Sequence, residues 1–164
     1  MFIQQADLFH GMEKEFVKEV MDITKKVDFE PGEYLFHEGD PAENFYILLK
    51  GRVALKTGEI GQVVHIVSHS GEAFGWSSLV GRGTYSASAM CETTARLLEV
   101  SGSQVIEIIR KHPEQGLVFY RHLARALGAR LIQAHQTLSA SSQTGMAPSY
   151  GAGNVIEAAE AEIM

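Results

Sequence analysis

The sequence predicts a mainly β domain, a sandwich or barrel of short strands with one helix before it and a long helix after it. Three observations carry that expectation. Apolar and β-branched runs of four to eight residues recur between residues 33 and 100, broken by turn residues at Gly39-Asp40-Pro41, Gly51, Thr57-Gly58 and Ser70-Gly71. Ahead of them lies a segment with helical apolar spacing, and behind them a longer one. No segment repeats with a fixed period, which sets solenoids aside.

In the first segment Phe16, Val20, Ile23 and Val27 step by four, three and four, so a helix would line them on one face and leave Glu13, Lys14, Lys18 and Glu19 to water. Pro31-Gly32 closes this region. Strands are then expected around 33–36, 44–50, 52–56, 63–68, 71–74, 84–91 and 95–100. Ser101-Gly102-Ser103-Gln104 has serine followed three residues on by glutamine, a capping box for the apolar helix Val105 to Ile109. His112-Pro113-Glu114 breaks that helix and begins another, because proline fits a first turn and an acid there suits the helix dipole.

The last helix, expected over 113–138, carries Leu117, Tyr120, Ala124, Leu127, Leu131, Ala134 and Leu138 in alternating steps of three and four. That is a coiled-coil seam, and it predicts a homodimer along this helix. The alternative is that the stripe packs on its own barrel, but Phe119, Leu123 and Ile132 lie off the seam and are the expected barrel-facing residues. Arg121, Arg125 and Arg130, with Arg110 and Lys111, make either a solvated helix face or a reach toward an anionic ligand. From Ser139 the composition turns to serine, glycine, alanine and proline. Residues 139–164 are therefore expected as a flexible tail, with a short acidic amphipathic helix within Asn154 to Met164.

Composition bounds the function. The 164 residues suit one well-buried core. They carry 14 basic against 20 acidic side chains, a net charge of −6 that argues against a nucleic-acid binder, whose affinity rests on phosphate contacts. No apolar run approaches the roughly 20 residues that span a bilayer, and the first residues lack the basic flank and apolar core of a signal peptide. Cys91 is the only cysteine, so no internal disulfide can form and a reducing cytoplasm is the expected location. A lone cysteine cannot hold an iron–sulfur cluster, and with no histidine near it in sequence it makes a poor nucleophile. His65 and His69 are expected at the surface, with poor spacing for a metal. No carboxylate pair, Ser-His-Asp order or phosphate-binding P-loop appears, so no enzyme and no metal are expected.

A stretch from Gly71 to Met90 organises the rest. Glycines at 71, 75, 81 and 83 permit tight turns, and Phe74 to Leu79 has the make-up of one helical turn entered through Gly75. Such a turn leaves backbone N–H groups pointing one way, a nest for an anion. The flanking sequence gives this stretch its context. Phe29-Glu30-Pro31-Gly32-Glu33-Tyr34-Leu35-Phe36-His37-Glu38-Gly39-Asp40-Pro41-Ala42 and Phe45-Tyr46-Ile47-Leu48-Leu49-Lys50-Gly51-Arg52-Val53, with spaced glycines at 32, 39, 51, 71 and 75, resemble the cyclic nucleotide-binding domain family over roughly Leu8 to Leu138. The family includes the sensor halves of catabolite-activator-type (Crp/Fnr) transcription regulators and the regulatory subunits of cAMP-dependent kinases.

The resemblance implies a double-stranded β-helix, or jelly-roll barrel, over 1–138, and a regulatory rather than enzymatic role in signal transduction. It also implies that the stretch from Gly71 is the phosphate-binding cassette. In nucleotide-binding relatives a Phe-Gly-Glu motif supplies a carboxylate for the ribose hydroxyl, and an arginine some nine residues later grips the cyclic phosphate. Here those positions are Trp76 and Tyr85. Two charge-assisted hydrogen bonds at roughly 1.5–3 kcal/mol each amount to several powers of ten in affinity, so ordinary cAMP binding is not expected. Phe74, Gly75, Trp76, Ser77, Ser78, Leu79, Tyr85, Ser86 and Ala87 are the candidate ligand-binding residues, with Ser88 nearby. They suit a planar or less charged effector of unknown identity, or a cavity that Trp76 itself plugs. No fixed cofactor is expected. A haem reading would need an axial ligand from among seven histidines. The helix-turn-helix that follows the long helix in catabolite-activator-type regulators has no counterpart in the acidic, glycine-rich residues after it, so output is expected through a protein partner.

Overall fold

The computed structural model describes residues 3–143. The chain divides into two units, Met1–Leu123 and Ala124–Met164. The first opens with a 3-10 turn at Ile3–Gln5 and helix α1 (Lys14–Asp22). Strands β1 (Thr24–Phe29), β2 (Tyr34–Phe36), β3 (Asn44–Lys50), β4 (Val53–Thr57), β5 (Gln62–Val67), β6 (Ala73–Phe74), β7 (Ser88–Cys91) and β8 (Ala95–Ser101) follow. Helices α2 (Gly102–Lys111) and α3 (Pro113–Gln143) complete the described residues.

The strands form two antiparallel four-stranded sheets, ordered β1-β8-β3-β6 and β2-β7-β4-β5. Register decides which side chains fill the space between them, because residues opposite one another point to the same face. In the first sheet Val27 opposes Leu97 and Leu97 opposes Leu48. In the second, Phe36 and Leu55 oppose Ala89, and Val53 opposes Cys91 and Val67. Those residues, with Tyr46, Phe74, Tyr85 and Ala95, make one apolar cluster. A second buried layer lies on the other side of the first sheet, where the Phe45 ring is 6.5 Å from Phe119 and Phe119 is 5.4 Å from Phe9. Phe16, Val17 and Val20 of α1 are also fully buried. The jelly-roll expectation is met.

Differences in detail are instructive. The first helix was expected to carry Ile23 and Val27, but it stops at Asp22, and Thr24–Phe29 is a strand paired with β8. A step of four fits a helix face and a strand face equally, so Ile23 to Val27 satisfied both patterns. Pairing with β8 then settled the matter. The strands expected over 71–74 and 84–91 shrink to Ala73–Phe74 and Ser88–Cys91, with Thr84 in an isolated bridge to Pro41. Ser101 caps α2 as expected, its hydroxyl accepting from the Gln104 N–H at 3.4 Å. Phe119 and Leu123 are buried, but Ile132, expected to join them, is 59% exposed. The last helix runs to Gln143, five residues past its expected end, with Ser141 and Ser142 hydroxyls bonded back to the Leu138 carbonyl. The expected acidic helix near the C-terminus lies outside the described residues. Among the described residues no helix is long and apolar enough to cross a membrane.

Candidate functional site

The turn after β6 is the place to build from. Gly75 sits at φ +76°, the left-handed region, and a methyl group there would meet the Phe36 ring at 3.3 Å. Both facts ask for glycine. The chain then makes the single 3-10 turn Trp76–Leu79, shorter than the expected Phe74 to Leu79, and closes it with Val80 and Arg82 N–H groups donating to the Ser77 carbonyl. This turn is fastened on two sides. A methyl group on Gly102, at the start of α2, would lie 2.6 Å from the Ser78 side chain, and the Tyr120 hydroxyl donates to the Leu79 carbonyl at 3.1 Å.

The candidate residues divide by what they touch. Phe74, Ser77, Leu79 and Tyr85 are buried, Gly75, Trp76, Ser78 and Ala87 are half-buried, and Ser86 is exposed. Trp76 donates its indole N–H to the Ala73 carbonyl at 3.0 Å. Tyr85 turns inward and stacks on Phe36, ring centroids 3.7 Å apart and planes 13° from parallel. Its hydroxyl donates to the Asn44 carbonyl at 2.5 Å and accepts from the Asn44 N–H at 3.2 Å. Phe36 also stacks on Tyr46, and Tyr46 on Phe74, so four rings form one packed group. Burial pushes the ionisation of Tyr85 and Tyr46 upward, so both phenols stay neutral. The Ser78 hydroxyl is different: it is buried and has no hydrogen-bond partner among the described residues.

Sequence reasoning did not single out Phe36, Tyr46 and Asn44. The signal lay in strand parity: Tyr46 opposes Phe74 in β6 and Glu99 in β8, which puts it on the inner face. The Ser88 hydroxyl accepts from the Glu38 N–H at 2.9 Å, a structural rather than a free group.

Other expectations resolve around this turn. His65 is not a surface residue; its ring is 15% exposed, with Nε2 at 2.7 Å from the Glu72 carboxylate. His69 is exposed as expected, but it lies beyond β5 rather than on a strand face with His65. Burial works against the charge on Glu72, yet hydrogen bonds from His65 and from the N–H groups of His69 and Ser68 outweigh it and hold the carboxyl at about 2. Cys91 is fully buried and burial pushes its thiol up to about 11, the state of an inert thiol. Among the described residues no group of three or more metal-ligating side chains gathers. Of the seam residues, Leu117 is 65%, Leu131 58% and Leu138 66% exposed, with Tyr120 at 36%. Ala124 and Ala134 are exposed and Leu127 is half-buried.

The fold and this turn can be set beside known proteins. The family model for the cyclic nucleotide-binding domain matches residues 26–112, more than half of the chain. The cyclic AMP receptor protein of Thermus thermophilus is 28% identical over 131 residues, 79% of this chain but 59% of the receptor. The chain therefore spans well under two thirds of that relative's length. The N-terminal domain of a transcriptional regulator from Streptomyces coelicolor superposes with a TM-score of 0.64 at 26% identity, over 79% of this chain and 94% of that domain. A cyclic nucleotide-binding domain from Methylobacillus flagellatus shares the fold with a TM-score of 0.72 at 20% identity, over 85% and 80% of the two chains. With the two packed sheets, the glycine-entered turn and the helix behind it, these matches establish that the chain belongs to the cyclic nucleotide-binding domain family.

Proposed function

We infer that this chain is a non-enzymatic regulatory domain whose ligand site has moved away from cAMP. The observation that carries this is the position of Tyr85. Where the family's phosphate-gripping arginine is expected, a neutral ring lies stacked on Phe36 with its hydroxyl committed to both backbone groups of Asn44. A phosphate diester placed there would meet no cation from this residue and would displace satisfied hydrogen bonds. Trp76, at the carboxylate position, offers a ring face instead of an acceptor for ribose.

The ligand class that suits the remaining walls is small, neutral and planar, held by Trp76 with Ser77, Ser78 and Ser86 and bounded by Phe74, Gly75, Leu79, Tyr85 and Ala87. The Ser78 side chain packs against Gly102 at the start of α2, so a change at the turn is passed directly to that helix. Ligand entry would shift the turn against Gly102 and Tyr120, and so against α2 and α3. Output is read as a homodimer through Leu117, Tyr120, Ala124, Leu127, Leu131, Ala134 and Leu138, all exposed except the half-buried Leu127, presented to a protein partner. The second reading is a ligand-free interaction dimer, favoured by the same four-ring group if it fills the whole cavity.

Thermal unfolding with a ligand panel tests this. A ligand at 100 times its Kd stabilises the folded state by about 2.7 kcal/mol, a rise of several degrees for a domain this size. The expected result is no rise with cAMP or cGMP at about 1 mM and a rise with one class of aromatic metabolite. Silence across the panel selects the interaction dimer, and a clear rise with cAMP overturns the whole reading. Sedimentation of the L131E/L138E variant as a monomer, against a wild-type dimer, checks the seam.

A further inference from the structure

The first sheet has a second face, and its chemistry differs from that of the core. In β8, Leu97 points into the packed interior, so Arg96 and Leu98 point the other way. Register adds Lys26, opposite Leu98 on β1, and Lys50, opposite Arg96 on β3. Three cations from three neighbouring strands thus share one face. Ile3 of the opening turn and Met21 at the end of α1 complete the lining of a half-open cavity of about 460 Å³, floored by Leu49 and Leu98. That volume lies within the range of roughly 300–1,000 Å³ for small-molecule sites, and apolar walls with a few convergent polar groups are their usual make-up.

The charges are only partly neutralised in place. Asp28 pairs with Arg96, Oδ1 to Nε at 2.7 Å. Lys26 and Lys50 make no hydrogen bond or ion pair among the described residues, although the charge of Lys26 also acts on Asp28. The face therefore keeps a net positive charge in a chain whose total is −6. A long-stemmed cation beside an apolar floor is well suited to an anionic head whose body lies on the floor.

We propose that this cavity binds a small amphiphilic anion, a carboxylate or phosphate head on an aliphatic body, with the head held by Lys26 and Lys50 and the body seated on Leu49, Leu98 and Met21. The site is built on β1, β3, β8 and the end of α1, on the opposite face of the sheet from the aromatic group. It stands whether or not the reading of Tyr85 holds.

Sodium decanoate, kept below its micelle concentration, is the probe, with amide chemical shifts of the full-length protein as the readout. Saturable shifts confined to 24–26, 49–50 and 96–98 are expected, and they weaken with added salt. The K26Q/K50Q variant removes two exposed charges without touching the core, and affinity should fall about five- to tenfold. Acetate supplies the head without the body, and octyl glucoside the body without the charge; both should bind more weakly than decanoate. The proposal fails if decanoate leaves those amides unmoved, or if K26Q/K50Q binds it as tightly as wild type. It fails equally if acetate matches decanoate, which would reduce the site to a patch of counter-ion attraction.

Discussion

The two sides of the β1-β8-β3-β6 sheet invite comparison. On the inner side and the turn beside it, polar atoms are answered by near neighbours: Tyr85 by Asn44, the Trp76 indole by Ala73, Glu72 by His65. On the outer side Lys26 and Lys50 stand over apolar floor with no such answer among the described residues. An aromatic side chain can meet its polar needs within the core, whereas an exposed lysine over apolar surface leaves its charge to solvent or to another molecule.

Four variants would break or sharpen that contrast, taken from the largest expected effect. If Tyr85 is core, Tyr85→Ala removes a stacked ring and should cost about 3–5 kcal/mol in denaturant unfolding, whereas loss of a mere ligand contact would leave stability near wild type. Tyr85→Phe keeps the ring and strands the Asn44 backbone groups, so a loss of about 1–3 kcal/mol is expected by the same measurement. The Glu72 carboxyl, held at about 2 against an ordinary 4.5, ionises more easily in the folded chain than in the unfolded one. Its contribution is thus complete above about 4.5 and lost as pH falls toward 2, and Glu72→Gln should flatten the acid limb of a stability–pH profile over that window. The smallest effect belongs to the outer face: K26Q/K50Q should unfold within about 0.5 kcal/mol of wild type, as exposed substitutions do. A larger loss there would make the lysines structural and erase the contrast.

Much of this was legible without coordinates. The alternating strands, the serine that caps α2 and the proline that opens α3 are local signals, and local chemistry decides them within a few residues. The absence of the paired charges at 76 and 85 was legible too, since it is a matter of residue identity. Where the signal was local but ambiguous, as at Ile23 to Val27, the reading failed, because helix and strand periods coincide at a step of four and only pairing with β8 separates them.

By itself the sequence determined the fold family, the order of most elements and the presence of uncharged rings at 76 and 85, because each is written in residue type and short spacing. Only the tertiary structure decided that Tyr85 stacks on Phe36, that His65 is half-buried against Glu72, and that lysines 24 residues apart in the chain meet beside Arg96. Those outcomes depend on which strands pair and in what register. Register is a collective result of packing both sheets at once, and no single stretch of chain encodes it.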